Sequence, residues 1–597
     1  MKGWKRAIRG AACTGLMAAS ALTPVMAKTP AASPVAAPAK SPANSQGRPN
    51  IVLIVLDDTG FSDLGAFGSE IRTPHIDALA QSGLRYNRFD SKAICSSSRA
   101  ALLTGRNNQT VGMEDLASNA AQPDPAINPS QRGELPRNAE TIAQALQASG
   151  YSTWAVGKWH LAPKYDEAPG HDKGSWPLQR GFQHFYGFLS GWTDQYKPDL
   201  VQDNAHIPTP AAPGYLLAPD LVDHAIAAFD ADKASASGKP TFVYLALGTA
   251  HAPIQAPKSY IDAYGDTYAK GWDAIRAERF ARQKQLGIIP ADTVLPPINP
   301  GDRPWSSLSD QEKTVFARFM ATYAGFITHA DDQIGRLVAH LKQTGQYDNT
   351  LFVVLSDNGA APEAGQNGGF WRPYDPSTPV AEMAQNLDKL GGPETQSLYQ
   401  RPWAMAGVTP FRRYKLWPYA GGIRTPLIVS WAKGIKAQGA VRGQHVDAVD
   451  IGPTLLDVAG AGFHSVLNGV QQLPVAGHSF RASFTSPTAG ARNVQFFELR
   501  GNRAITAGDW KAIAMHRYGT SFDEDRWALF NVAKDFSESQ DLSQRYPEKL
   551  KEMQALWWSE ARKYSNPALA EPAPQLRRLH QFDDDLPAGA PPSAVDQ

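Results

Sequence analysis

The chain is predicted to fold as an α/β protein, with a large mixed, mostly parallel sheet flanked by helices and a smaller C-terminal α+β part built on an antiparallel sheet. Three observations carry that prediction. Apolar runs without polar alternation recur at residues 51–56, 152–156, 241–247, 351–355 and 426–431, as strands buried on both faces require. Helical patterns lie between them and supply the crossovers that parallel strands need. Near residue 485 the character changes to short alternating segments, which suits a separate antiparallel sheet.

In chain order, Lys2, Lys5, Arg6 and Arg9 precede an apolar stretch from Ala11 to Leu22 that finishes in Val25-Met26-Ala27. That is the layout of a secretory signal over residues 1–27. Residues 28–48, rich in Ala, Pro and Ser, read as a flexible linker. The expected location is periplasmic or secreted, with anchoring left open. Residues 49–484 hold the five apolar runs and form the large domain. Within it, Thr73-Pro74 opens a helix through Ala80 that stops near Gly83, and Asn138-Ala139-Glu140 opens another that ends by Gly150. A longer helical pattern covers about 310–344; its Asp331 and Asp332 read as a solvated helix face. A helix over 450–459 closes this part. Segments 494–499, 503–507, 510–516 and 527–531, followed by a helix over about 547–564, give an α+β subdomain at 485–565. Residues 566–597, rich in Pro and Asp, read as a C-terminal arm.

The 58 basic and 57 acidic residues nearly cancel, and nothing in that balance suggests a nucleic-acid or membrane-surface protein. After the signal, no apolar run approaches the roughly 20 residues needed to cross a bilayer. Of the two cysteines, Cys13 lies in the signal, so Cys95 stands alone and has no internal disulfide partner. It is a buried structural thiol, a partner for another chain, or a chemical centre.

In open α/β sheets, ligands bind beyond the carboxyl ends of the strands. Polar residues collect there repeatedly: Asp57 and Asp58 end the first run, Lys158 and His160 follow the second, His251 the third, and Asp357 and Asn358 the fourth. One Asp after a strand is ordinary turn or cap chemistry. Four placements on one edge ask for more. Asp57, Asp58, Asp357 and Asn358 offer oxygen ligands only, which suit Ca²⁺ or Mg²⁺ rather than structural zinc. A divalent cation would also relieve the repulsion among three close carboxylates. Cys95 precedes a helix-like run, Arg99 to Thr104, ended by Gly105, so its side chain would sit near a helix N-terminus that favours anions.

The segment Cys95-Ser96-Ser97-Ser98-Arg99, with Leu103-Thr104-Gly105-Arg106, resembles the signature of the sulfatase family, Cys-x-Pro-Ser-Arg followed by Leu-Thr-Gly-Arg. The resemblance continues through Asp57-Asp58, Gly157-Lys158-Trp159-His160, Ala250-His251-Ala252-Pro253 and Ser356-Asp357-Asn358-Gly359. It extends to Thr409-Pro410-Phe411-Arg412-Arg413-Tyr414-Lys415 before Gly421-Gly422-Ile423-Arg424-Thr425-Pro426, and the phrases at 501–505 and 527–531 look like the bacterial arylsulfatase branch. What this resemblance implies is an alkaline-phosphatase-like fold and a sulfuric ester hydrolase that cleaves aryl or alkyl sulfates to an alcohol or phenol plus sulfate. It further implies that a formylglycine-generating enzyme converts Cys95 to Cα-formylglycine, whose gem-diol attacks sulfur. Metal ligands would be Asp57, Asp58, Asp357, Asn358 and the converted Cys95, holding Ca²⁺ with Mg²⁺ as the alternative. Catalytic roles fall on Cys95, on Arg99 holding the nucleophile, on Asp357 as proton acceptor, on His251 as donor to the leaving group, and on His160 in expelling sulfate. Lys158, His251 and Lys415 would bind substrate.

Two positions depart from the family pattern. Ser97 stands where the family has Pro or Ala, at a position the modifying enzyme reads, and Ala420 stands where Glu commonly precedes the Gly-Gly pair. The long segment from Asn358 to Lys415 carries Phe370, Trp371, Tyr374, Tyr399 and Trp403, expected to line the pocket for the organic part of the substrate. Two other functions compete: a phosphonate monoester or phosphodiester hydrolase of the same superfamily, and a catalytically silent protein that binds sulfate esters.

Overall fold

Asn50–Leu56 is the axis of the fold, and its side chains divide by parity. Val52, Ile54 and Leu56 enter the core on one face of the sheet, while Ile51, Leu53 and Val55 enter the core on the other. Two-sided burial is why this strand shows no polar alternation. Each aliphatic side chain withdrawn from water contributes about 1.5–3 kcal/mol, so the strand is anchored from both sides. It pairs in parallel with Thr241–Ala246 and with Thr350–Ser356. Ser152–Lys158 and His184–Phe188 extend the parallel set beyond Thr241–Ala246.

The full ten-stranded order is Ala440–Arg442, Leu84–Tyr86, Leu427–Ser430, Thr350–Ser356, Asn50–Leu56, Thr241–Ala246, Ser152–Lys158, His184–Phe188, Leu200–Gln202 and Ala205–Ile207. Leu427–Ser430 runs antiparallel to both neighbours, so the sheet is mixed around a parallel centre. That centre brings the carboxyl ends of five strands to one edge.

This computed structural model describes residues 47–119, 129–168, 170–235, 238–517 and 520–564. The expected signal with Cys13, the linker up to residue 46 and the C-terminal arm lie outside the described residues. No described helix is long and apolar enough to cross a membrane.

Two expectations need correction. The helix expected from Asn138 begins at Ile142, because Thr141 caps it and accepts the Gln144 N–H while Gln144 reaches back to the Thr141 N–H. The long helix is Asp310–Gln343, but its Asp331 does not face solvent. Its two oxygens accept the N–H groups of His75 and Ile76, at 3.0 and 2.8 Å, and so satisfy the first turn of the helix Pro74–Ser82. The segment between Asn358 and Lys415 has its own helices, Val380–Gln385 and Arg401–Gly407.

The second sheet is antiparallel throughout: Val494–Leu499, Asn502–Ala507, Trp510–Ala514 and Trp527–Asn531. One face, with Phe496, Ile505, Ala512 and Leu529, is covered by Met553 and Trp557 of the helix Pro547–Tyr564. The other face, with Phe497, Ala504, Ile513 and Phe530, packs on Ala93, Ile94, Leu416, Tyr419 and Ile423 of the larger part.

Candidate active site

The helix that carries Cys95 begins on it. Cys95–Thr104 is capped by extended Ile94, the Ser98 N–H donates to the Ile94 carbonyl at 3.0 Å, and Gly105 ends the helix in the left-handed region at φ +63°. The helical run is therefore one turn longer at its start than the apolar pattern from Arg99 indicates. All of its residues are buried. Its three serines tolerate burial because each hydroxyl is used: Ser96 donates to the His160 carbonyl at 2.8 Å, Ser97 to the Glu114 carbonyl at 3.0 Å, and Ser98 accepts the Lys92 N–H at 2.9 Å.

The carboxyl edge of the sheet supplies the rest. Asp57 and Asp58 follow Leu56, Asp357 and Asn358 follow Ser356, Lys158 is itself the last residue of its strand, and His251 lies in the loop after Ala246. Asp58 and His160 take positive φ, +57° and +54°, a conformation that costs roughly 1–3 kcal/mol and collects at functional sites. His160 is further held by Gly191, where an added Cβ would come within 2.6 Å of the imidazole Cε1.

Each carboxylate has its own cation. Lys158 Nζ lies 2.6 Å from Asp57 Oδ2, Lys415 Nζ lies 3.0 Å from Asp58 Oδ2, and Arg99 contacts Asp357 Oδ2 through Nε at 2.9 Å and Nη2 at 2.7 Å. Arg99 is fixed from behind by the Tyr244 hydroxyl at 3.1 Å and the Lys158 carbonyl at 3.3 Å. The Cys95 sulfur stands at the meeting point. It lies with one oxygen each of Asp57 and Asp357 in a group whose atoms are all within 4.8 Å of one another, and in a second such group with Asp58 and His251. Cys95, expected among the metal ligands, and His251, expected at the same edge, are both within reach of the carboxylates.

Burial pushes Asp57 up to about 8 against the pull of Lys158, with Asp357 and Asp58 adding to the rise. Burial would also raise Asp58, but Lys415, His251 and Lys158 outweigh it and hold this carboxyl at about 2. The Cys95 thiol is pushed up to about 12 by burial, although Lys158 and Lys415 act against it. Burial lowers His251 to about 3, and together with Lys158 and Arg99 it holds His160 well below the usual histidine range. His251 Nδ1 lies 2.8 Å from the Ala252 carbonyl, so Nδ1 carries the proton of the neutral ring and Nε2, 3.6 Å from Asp58 Oδ2, is bare.

Among the described residues, the buried Asp57 Oδ1 and Asn358 Oδ1 have no hydrogen-bond partner, the second left over when Asn358 Nδ2 donates to Asp58 Oδ1 at 2.6 Å. Orphaned oxygens among three carboxylates fit the donor set of a hard divalent cation.

All ten expected site residues gather in this region, and two further partners join them. Tyr244 braces Arg99 from inside a strand. Glu363 places Oε1 2.9 Å from Lys415 Nζ; it lies in a loop five residues beyond Asn358, where no spacing rule marks a carboxylate. The pocket aromatics divide. Phe370, Tyr399 and Trp403 are buried: Trp403 packs edge-on to Tyr268, Trp272 and Trp305, and Tyr399 against Tyr323. Trp371 is tied to Glu382. These four belong to the core and the loop's own packing. Tyr374 alone combines an exposed ring, 43%, with a hydroxyl that feels Glu363, Lys415 and Cys95.

A cluster of buried acids, paired with two lysines and an arginine, thus stands at the carboxyl edge of a parallel-centred sheet. A family model described as Sulfatase matches residues 49–461, and one described as N-sulphoglucosamine sulphohydrolase, C-terminal, matches residues 413–563. An uncharacterized sulfatase of Schizosaccharomyces pombe is 31% identical over 85% of this chain and 93% of its own length. An arylsulfatase of Klebsiella aerogenes is 32% identical over 73% of this chain and 92% of its own. Among solved structures, that of Ps i-CgsB in complex with k-i-k-neocarrahexaose superposes with a TM-score of 0.61 at 23% identity, covering 90% of this chain and 99% of its own. The chain belongs to the sulfatase family and is a sulfuric ester hydrolase.

Proposed function

We propose that the protein hydrolyses sulfate monoesters of phenols or alcohols, with Cys95 as the precursor of a formylglycine nucleophile and Asp57, Asp58, Asp357 and Asn358 holding a divalent cation, Ca²⁺ or Mg²⁺. The carrying observation is the position of Cys95: one buried sulfur reaches the acid cluster, both lysines act on it, and His251 adjoins it. An aldehyde at this position would supply, once hydrated, an oxygen nucleophile that releases sulfate by re-forming its carbonyl. A bound cation would supply Lewis acidity and keep the Asp57 carboxyl ionised.

The chain's own residues account for the remaining work. Four carboxylates, Asp57, Asp58, Asp357 and Glu363, face three fixed cations, Arg99, Lys158 and Lys415. Fully ionised, these groups sum to one negative charge, which a divalent cation would turn into one positive charge. A net positive site attracts an anionic ester. Lys158 and Lys415 bind the sulfate oxygens, and Arg99 fixes Asp357 at the proton it accepts. His251 takes up a proton as the anionic ester arrives beside it and delivers it from Nε2 to the departing oxygen. His160 Nδ1, buried and without a hydrogen-bond partner among the described residues, accepts the proton whose removal frees the sulfate.

The test is mass spectrometry of the tryptic peptide spanning residues 93–99, from protein made alongside a formylglycine-generating enzyme, with sulfate release from phenyl sulfate measured on the same sample. Aldehyde together with sulfate release is expected. Turnover by a sample whose Cys95 is wholly unmodified would overturn the role given to it. Faster cleavage of an aryl phosphonate monoester than of phenyl sulfate would favour the phosphorus reading. Binding without turnover by the converted protein would favour the silent one.

A further inference from the structure

The strands Asn50–Leu56 and Thr350–Ser356 end side by side, and their backbone pairing closes with the Asp357 N–H on the Leu56 carbonyl at 3.2 Å. Just beyond, the two loops carry Asp57-Asp58 and Asp357-Asn358, and a side chain takes over the pairing. The Ser356 hydroxyl accepts the Thr59 N–H at 3.0 Å and donates to the Asn358 carbonyl at 3.0 Å. Thr59, Ser356 and Asn358 are all fully buried, so losing the hydroxyl would leave both backbone groups shut away from solvent. Its two roles cannot be exchanged, because an N–H only donates and a carbonyl only accepts. Two further contacts join the loops, from the Asp58 N–H to Asp357 Oδ1 at 3.4 Å and from Asn358 Nδ2 to Asp58 Oδ1 at 2.6 Å. Each of these occupies a carboxylate oxygen that a cation would also claim. The Ser356 bonds reach only backbone groups, and they survive when the oxygens turn to a metal.

We infer that Ser356 is a positioning residue for the cation. Its hydroxyl fixes the gap between the Asp57-Asp58 loop and the Asp357-Asn358 loop, and through that gap it sets how tightly the oxygens hold a divalent ion. Such sites are sensitive to spacing, since oxygens sit at roughly 2.3–2.6 Å from Ca²⁺ and about 2.0–2.1 Å from Mg²⁺. Outer groups that orient metal ligands govern affinity without touching the metal. The inference rests on the cation site proposed above.

The test is calorimetric titration of the EDTA-stripped, dialysed enzyme with Ca²⁺ and, separately, with Mg²⁺. For the ion that the wild type holds more tightly, Ser356→Ala should raise Kd about 10- to 100-fold. That variant also loses a buried hydrogen bond, so a second one separates affinity from firmness. Thr425→Val removes the hydroxyl that donates to the Ser356 carbonyl at 2.9 Å; it loosens the same strand end and leaves the tie between the loops in place. Its urea midpoint should fall while its Kd stays within about twofold of the wild type. A Ser356→Ala Kd within that same margin, or an equal rise in both variants, would overturn the inference. Should Ser356→Ala not fold, Ser356→Cys, whose thiol fills the space but is a weak donor and acceptor, measures the same rise. A wild type that binds neither ion would overturn the cation site and the role of Ser356 together, whereas equal binding by wild type and Ser356→Ala would overturn the role of Ser356 alone.

Discussion

Metal removal should destabilise the fold by an amount the site makes calculable. With no cation bound, Asp57 Oδ1 and Asn358 Oδ1 are buried without partners among the described residues, and burial forces Asp57 up to about 8. A cation that binds only the folded chain stabilises it by about 2.7 kcal/mol when its concentration is 100 times its Kd. Roughly 500 described residues, at about 2.1 cal/mol/K each, give an unfolding entropy near 1 kcal/mol/K. The melting temperature should therefore rise by about 2–3 °C between excess EDTA and excess Ca²⁺. Scanning calorimetry measures it directly. In Asp57→Asn, which removes a charged ligand, the rise should shrink to roughly 1 °C or less. Asp332→Asn, in the outlying group formed by His75, Asp331 and Asp332, should keep the full rise. If Asp57→Asn gains as much from Ca²⁺ or Mg²⁺ as the wild type, the cation binds elsewhere and the assigned ligand set is wrong.

Three further outcomes follow from the same geometry. Arg99→Met leaves Asp357 buried without its two guanidinium contacts, so apo stability should fall by about 3–5 kcal/mol in urea unfolding; an unchanged midpoint would refute the pairing. His251→Ala should lower kcat by roughly 10²–10⁴ on alkyl sulfates and much less on 4-nitrophenyl sulfate, whose leaving group needs no proton. Equal losses across that leaving-group series would remove His251 as proton donor. Trp403→Ala should cost about 3–5 kcal/mol of stability, because it empties a space among Tyr268, Trp272 and Trp305 and removes the indole N–H bond to the Phe316 carbonyl at 2.9 Å. Its KM for phenyl sulfate should stay unchanged once folded protein is compared, and a large KM change would return Trp403 to the pocket.

The parallel centre of the sheet was legible because burial on both faces leaves an unmistakable trace, as in Asn50–Leu56. The acid and lysine positions were legible because strand ends meet at one edge. What escaped notice depends on contacts between loops. Asp331 looks like any charge on a long helix until the start of Pro74–Ser82 is brought against it. The aromatics of 370–403 read as a pocket because composition cannot say which ring faces inward, and four of the five pack away from the cleft. Glu363 carries no motif, and only the turn that brings it to Lys415 gives it meaning.

The antiparallel sheet bears on the chemistry from behind. Its inner face packs on Ala93, Ile94 and Leu416, neighbours of Cys95 and Lys415, and the Leu416 N–H donates to the Ala93 carbonyl at 2.9 Å. Cys95 and Lys415, more than three hundred residues apart in the chain, are thus clipped together on a shared back wall. The C-terminal region therefore cannot be trimmed as an accessory. A conservative change such as Phe530→Leu in that wall touches no substrate, yet it would alter the spacing of the two groups, which makes the wall a remote handle for tuning the active centre.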